Sequence, residues 1–257
     1  MISAWLDLPI AGIFAALAIV YGLTAMLISW LTFRSPLQAR IDGTKGLVAP
    51  FFVSVAILFA LMTSFLAADI MSQNRQADRI VHVEGGALSS LHALSLASAD
   101  DMAEIHGALH AYLDAVVNDE WKRMADGQAS AKAETALSAL LRAVTNPKIA
   151  QVGGAVHSGI VNVALQAATA RSDRLALSSH HSDDVKWATV LFLCLMTQVA
   201  IGMVHLERPN AHTTALTIFT IAANVSLSLI AIQENPFGGA ISVSPAPLER
   251  VLASVKT

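Results

Sequence analysis

The stretch from Leu47 to Ile70 reads LVAPFFVSVAILFALMTSFLAADI and has no charged residue before Asp69, at its far edge. As an α-helix, its 24 residues would extend about 36 Å. The hydrocarbon core of a bilayer is about 30 Å thick, so a helix of this length can cross it. A segment this long and this apolar predicts a membrane-spanning helix.

Three further stretches have the same character, and Lys186 stands only at the entry of one of them. Each has more than 20 residues and no Asp, Glu, Lys or Arg in its interior, which predicts three more spans. The composition agrees, because 54% of the chain is hydrophobic and only 14% is charged, against about 25% charged in soluble domains. We predict an all-α integral membrane protein whose other spans are Leu8–Leu31, Val185–Leu206 and Ala211–Gln233.

Residues 71–184 differ from these spans, since they carry nine Lys or Arg and 13 Asp or Glu. Apolar residues recur there at helical spacing, with Asp100 or Asp101 as a candidate cap, just as Asp7 could cap the first span. This pattern predicts a helical bundle inserted between the second and third spans. Its clearest stripe is Met102, Ile105, Leu109, Tyr112, Val116 and Met124.

Other apolar patterns complete the domain plan. Residues 80–94 favour a continuation of the second membrane helix, and residues 136–144 favour a short helix before Asn146-Pro147. Pro245 opens a final amphipathic helix. The predicted segments are 1–70 with the first two spans, 71–184 with the helical bundle, 185–233 with the last two spans, and 234–257 with a turn and a short helix.

Two groups of residues are candidates for lining a pore. In the second span, Phe52 and Phe59 lie seven residues apart with Thr63 one turn beyond, a pattern that fits a hydrophobic gate or ordinary packing. The fourth span carries a polar stripe on one helical face, which either packs against another helix or lines a polar pathway. The members of the stripe are Thr213, Thr217, Thr220, Asn224 and Ser228, and Gln198 of the third span presents the same two alternatives.

Several function classes are disfavoured by what the sequence lacks. The spans contain no Asp, Glu, Lys or Arg of the kind that proton-coupled pumps and voltage sensors place in the membrane. No P-loop, HExxH or GxSxG motif is present, so we expect no enzyme and no cofactor. The net charge of −3 gives no indication of nucleic-acid binding.

A metal site is a weaker hypothesis. His106 and His110 lie four residues apart near Glu104, and His180 adjoins His181, so either pair could bind a divalent metal or form a solvated face. No third ligand can be identified from the sequence, and we expect no metal. At the end of the fourth span, Glu234-Asn235 fits a helix-ending turn or a cation site.

Six segments resemble a bacterial family of membrane proteins with a bestrophin-like domain. Their order and spacing make the resemblance specific between about residues 47 and 247. One departure is Glu234-Asn235, where the family tends to have aspartate and a variable residue, so we assign no role to that carboxylate. The segments are FLAADI (65–70) leading into Asn74-Arg75, EGGALSSL (84–91), YLDAVVNDEW (112–121), RSDRL (171–175), TQVAI (197–201), and NPFGG (235–239) through VSP (243–245).

The resemblance implies four membrane helices, a helical domain between the second and third, and a distant relation to bestrophin anion channels. Those channels are homo-oligomers whose second helix lines the pore. We therefore expect a homo-oligomeric, bestrophin-like channel that passes small inorganic anions and has the lipid bilayer and further copies of the chain as its partners. The alternative is a membrane-anchored signalling scaffold that acts through its helical domain, and a metal-dependent membrane enzyme using His106 and His110 is a third hypothesis.

The expected location is the bacterial inner membrane, with several passes. The two short loops carry Arg34, Arg40, Lys45 and Arg208, against Arg250 and Lys256 in the terminal segments. By the positive-inside rule this difference places the short loops in the cytoplasm. The family resemblance instead places the helical domain there, and we adopt that orientation because the charge difference is only two residues.

Overall fold

The computed structural model describes residues 5–6, 8–36, 38, 41, 43, 49–97, 102–146, 154–179, 184–239 and 241–255. Helices account for all the regular structure in these ranges, so the all-α prediction is confirmed. The predicted caps Asp7, Asp100 and Asp101 and the pair His180–His181 lie outside the described residues. The helices are α1 (Ile10–Phe33), α2 (Ala49–Ala97), α3 (Ala103–Ala115), a π-helical turn (Val116–Glu120), α4 (Trp121–Met124), α5 (Ala131–Val144), α6 (Gly154–Ser179), α7 (Asp184–Val204), α8 (Pro209–Ala231) and α9 (Ala246–Val255).

The chain forms two compact units. The first, which we call the membrane unit, consists of Met1–Met71 and Ser182–Glu234. The second, which we call the helical domain, consists of Ser72–His181 and Asn235–Thr257. The tail, predicted from the sequence as a separate segment, therefore belongs to the compact unit of the helical domain. As the apolar pattern predicted, α2 runs on without interruption beyond the second span.

Four helices of the described chain are long and apolar enough to cross a membrane, which confirms the prediction of four spans. They are α1, the first half of α2, α7 and α8, and no regular cap or charge interrupts them. Their common core contains Leu17, Tyr21, Leu66, Trp187 and Leu227. Since lipid replaces water around such helices, most of their remaining apolar side chains are left on the outside of the unit.

Contacts at one end of the membrane unit fix the directions of three helices. The Lys186 ammonium at the start of α7 lies 2.7 Å from the Asp69 carboxylate of α2. The neighbouring Trp187 indole donates to the Glu234 carboxylate, just past the end of α8, over 3.1 Å. The start of α7 is thus beside the ends of both spans, so α2 and α8 cross in the same direction and α7 crosses in the opposite one.

The helical domain is built around the stripe predicted from the sequence, whose six residues are all buried. Leu137 and Leu140 of α5 and Leu248 and Leu252 of α9 pack into the same core. Helix α5 begins at a Ser130 cap, whose hydroxyl accepts from the Ala133 N–H. The domain core therefore combines the inserted bundle with the C-terminal helix.

Candidate functional site

The second membrane helix is the span least covered by the rest of the chain. In its apolar window only 11% of the residues are buried, against 39% in α7. Val53, Ile57 and Phe65 are each more than half exposed, and Ala60 and Ser64 lie on the same exposed side. This side of α2 must therefore meet lipid, another subunit or water.

The predicted lining residues of α2 lie elsewhere on its circumference. Phe52 is buried, and the Phe59 ring packs edge-on against Phe219 of α8 with 5.9 Å between ring centroids. Thr63 is half-buried, and its hydroxyl oxygen has no hydrogen-bond partner among the described residues. Phe52 and Phe59 thus face the interior of the membrane unit, while Thr63 lies at the edge of the exposed side.

The polar stripe of α8 separates into two parts. Thr213 donates to the carbonyl of Pro209 in its own helix, which is the ordinary way for a threonine to satisfy its hydroxyl in lipid. Thr217 is exposed, and Thr220 is half-buried and bonds to a neighbouring helix. Asn224 and Ser228, one turn apart, each keep a buried oxygen without a partner in the described part of the chain.

Gln198 links three spans through its side-chain amide. It is fully buried in α7, and its Nε2 donates to the Tyr21 carbonyl over 3.0 Å and to the Thr220 hydroxyl over 2.9 Å. Its Oε1 accepts from the Thr24 hydroxyl over 2.6 Å. Of the two interpretations of Gln198 and Thr220, these contacts favour helix–helix hydrogen bonding.

Gln198→Leu should loosen the contact between α1, α7 and α8. Interhelical hydrogen bonds in membranes contribute about 0.6 kcal/mol each on average, so losing three should lower the unfolding free energy by roughly 1–2 kcal/mol. Unfolding in a detergent–denaturant titration followed by circular dichroism measures the change. Thr189→Val is the matched control, because the Thr189 hydroxyl bonds only the Val185 carbonyl of its own helix.

His212 is an ionisable residue that the sequence reasoning did not single out. It lies in the first turn of α8, is fully buried, and packs its ring edge-on against Phe33 at 4.9 Å. Its Nδ1 lies 3.0 Å from the Gly202 carbonyl, which makes that nitrogen the protonated one, while Nε2 is buried without a partner among the described residues. The signal was a histidine inside an apolar run, which deserved the same weight as an acidic or basic residue.

Glu234 and Asn235 have separate structural roles. In the membrane unit, the Glu234 carboxylate accepts from Trp187. In the helical domain, Asn235 Oδ1 accepts from the N–H groups of Phe237 and Gly238, while its amide donates to the Ala125 carbonyl over 2.9 Å. Of the two interpretations, these contacts favour the helix-ending turn.

The helical domain contains a buried network of charged side chains. The Arg174 guanidinium donates to Glu84 over 2.6 Å and to Glu120 over 3.0 Å, and all three side chains are fully buried. Arg171 binds the other oxygen of Glu120 over 2.6 Å. The Tyr112 hydroxyl completes the network by donating to Glu84 over 2.6 Å. Two guanidinium groups thus face two carboxylates, and the buried charge is balanced.

The same contacts set the protonation of these groups. Burial by itself would lower the pKa of Arg174, but the paired Glu84 and Glu120 carboxylates outweigh it and raise that pKa above its usual value. Burial, reinforced by the Glu84 carboxylate, raises the pKa of Tyr112 well above its usual value, so the phenol remains a donor. The network therefore holds one protonation state throughout the physiological pH range.

An aromatic clip closes over this network. The Arg174 guanidinium lies 5.4 Å from the ring centre of Trp121, which follows directly after the π-helical turn. On the other side, the Phe237 ring of the C-terminal tail meets Trp121 edge-on at 5.9 Å. Gly85 permits close approach of the tail, because an added Cβ would lie 3.1 Å from Pro247.

The segments that carried the family resemblance converge on this one region. Glu84, Tyr112, Glu120, Arg171 and Arg174 come from three of those segments, which are far apart in sequence. Trp121 and Phe237 add a contact with a fourth. The geometry explains why those segments occur together: each supplies one member of a buried network that is stable only when complete.

The histidines of α3 have other partners than a metal. His106 Nε2 lies 2.9 Å from the Ser95 hydroxyl, and its ring packs edge-on against His92 at 5.3 Å. Burial, with a further contribution from His106, lowers the pKa of His92. Within the described ranges, no group of three or more His, Cys, Asp or Glu side chains has a metal-binding arrangement.

Four membrane-crossing helices with a separate helical domain define an all-α integral membrane protein. The family model of the bestrophin-like domain matches residues 18–248, which is most of the chain. The chain therefore belongs to the bestrophin-like domain family, as the resemblance predicted. A search of curated proteins found no match.

Solved structures share the fold over nearly the whole chain. One variant of a bacterial bestrophin homolog from Klebsiella pneumoniae superposes with a TM-score of 0.69 at 14% identity, covering 92% of this chain and 97% of the other. A second variant gives a TM-score of 0.68 at 13% identity, covering 95% and 99%. A crystal structure described as a membrane protein variant gives 0.72 at 11% identity, covering 94% and 97%. At these identities, the likeness establishes the fold.

Proposed function

We propose that the chain is the subunit of a homo-oligomeric ion channel that passes anions, with α2 lining the pore. The observation that carries this proposal is the exposed side of α2, the least covered of the four spans. Copies arranged around an axis with these sides inward would remove them from lipid and enclose a pathway. Membership of the bestrophin-like family supports the same arrangement.

The exposed side of α2 has the chemistry of a hydrophobic gate. Ile57, Ala60 and Ser64 would form the first row along the pathway, because they lie at its centre. Phe59 and Thr63, predicted from the sequence, take a second row in this proposal, where Phe59 supports the helix through its contact with Phe219. A ring of isoleucines from several subunits could stop conduction by excluding water.

Charge supports an anion pathway over a cation pathway. Cation channels commonly surround their pores with Asp or Glu rings. The exposed side of α2 has no carboxylate between Phe52 and Ala68, and Asp69, which follows, is paired with Lys186. Anions crossing along this helix would therefore meet no unpaired negative charge from it.

The polar residues of α8 form the second part of the proposed lining. Thr217, Thr220, Asn224 and Ser228 share one face of the helix. Leaving a buried oxygen without a hydrogen bond costs about 1–3 kcal/mol, and water would remove that cost at Asn224 and Ser228. We propose that this face borders a hydrated space in the assembled protein.

Planar-bilayer recordings of the purified full-length protein test the proposal. We expect currents whose reversal potential follows the chloride gradient, and Ile57→Ala should increase the open-state conductance because it widens a hydrophobic constriction. Ile19→Ala is the matched control, since Ile19 of α1 is equally exposed but lies on another span. Silence of a well-folded oligomer would contradict the channel and favour the scaffold hypothesis.

A further inference from the structure

A groove of about 600 Å³ lies in the membrane unit between α1 and α8. It exists because α1 places small residues, among them Gly22 and Ser29, on the side that faces α8, while Met26 and Trp30 project beside them. Thr217 and Ile221 line the α8 wall. The groove is thus a feature of two adjacent spans of one chain.

The chemistry of the groove changes along its length. Met26 and Ile221 make its deep end apolar, and both are more than half exposed. Trp30 follows towards the end of α1, and Arg34 stands at the mouth. From Gly22 to Arg34 the helical rise is about 18 Å, close to the roughly 15 Å of one leaflet of a bilayer core. An elongated apolar molecule with a polar end near Arg34 would fit this groove.

Arg34 makes the mouth of the groove positively charged. Its side chain is exposed, and in the part of the chain that the structure describes its guanidinium forms no ion pair. A guanidinium binds phosphate through two parallel hydrogen bonds. Basic pockets between membrane helices are a recurrent way of binding anionic lipid headgroups.

We propose that this groove binds one anionic phospholipid, with its phosphate on Arg34 and one acyl chain along Met26 and Ile221. The match between the length of the groove and one leaflet selects a lipid, and the charge at the mouth selects an anionic one. The proposal does not depend on ion conduction, because the groove belongs to α1 and α8 and not to the exposed side of α2.

Native mass spectrometry of the full-length protein in mild detergent tests the proposal, with phosphatidylglycerol and phosphatidylcholine as probes. We expect one tightly retained phosphatidylglycerol per chain and weaker phosphatidylcholine binding. Arg34→Gln should weaken phosphatidylglycerol binding about five- to tenfold, since one basic residue contributes about 1 kcal/mol to anionic lipid binding. Arg208→Gln is the matched control, because Arg208 is exposed just before α8 but does not line the groove.

A second variant tests the acyl chain separately. Ser29→Phe fills the groove and leaves Arg34 in place, so it should abolish the tightly retained lipid while circular dichroism and gel filtration stay unchanged. Equal losses in Arg34→Gln and Arg208→Gln would show general surface attraction and overturn the proposal. Full competition by inorganic phosphate would also overturn it, as would cross-linking of Thr217→Cys to a second copy seated in the groove.

Discussion

Arg174→Ala is expected to be the most damaging single substitution in the helical domain. It would leave the Glu84 and Glu120 carboxylates buried together without their shared guanidinium. Breaking a buried ion pair by removing one partner costs about 3–5 kcal/mol. For a chain of this size we expect thermal unfolding to occur roughly 10 °C lower, measured by circular dichroism of the full-length protein in detergent.

Arg123→Ala is the control for this prediction. Arg123 pairs with Asp119 on the surface of the same domain, with half of its side chain exposed. Exposed pairs contribute about 0–1 kcal/mol, so the melting temperature should change by only a few degrees. If both variants melted alike, the buried network would not be the main electrostatic determinant of the domain's stability.

Gly202→Val should have the largest effect within the membrane unit. A Cβ at Gly202 would lie 2.6 Å from Ile28 Cγ2 of α1 and 3.3 Å from the His212 ring of α8. Three helices therefore meet where only hydrogen fits, and a valine would force them apart. Overpacking of this kind costs about 1–3 kcal/mol or more, which the detergent–denaturant titration would detect as a lower unfolding free energy.

Gly22→Ala provides the comparison, because an added Cβ at Gly22 meets no atom within 4 Å. Alanine also has the higher helix propensity, by about 1 kcal/mol in soluble helices. We expect this variant to be as stable as the unmodified protein or more stable. Equal destabilisation of the two variants would mean that loss of glycine, and not the close approach at Gly202, controls the packing.

The four spans could be predicted because lipid demands long, uncharged runs, and that demand is visible in a single sequence. The helical domain followed from apolar spacing, since residues such as Ile105, Leu109 and Tyr112 recur on one helical face and are all buried. The continuation of α2 past the second span was predicted in the same way. These features depend on local pattern alone.

The partners of the polar residues could not be predicted in this way. Glu84 and Arg174 are separated by 90 positions, and nothing in the spacing of either indicates the other. Gln198 likewise bonds to residues of two distant spans. Such pairs depend on how helices pack, so the sequence identified Gln198 as unusual without indicating its contacts.

The exposed side of α2 was also beyond sequence reasoning. Nearly every residue between Phe51 and Leu66 is apolar, so periodicity cannot distinguish the side that packs inward from the side that does not. Aromatic residues drew attention to Phe52 and Phe59, whereas the structure exposes Val53 and Ile57. Only the positions of the other three spans make that distinction.

Cysteine accessibility along α2 tests the central proposal most directly. The native Cys194 is buried, so Ile57→Cys and Ser64→Cys can be modified selectively in the reconstituted protein, with Ile19→Cys as the lipid-side comparison. A pore along α2 predicts that a small charged, membrane-impermeant thiol reagent reacts with both α2 cysteines and changes the current, but leaves Ile19→Cys unaltered. Unreactive α2 cysteines in a conducting oligomer would contradict this assignment of the pore.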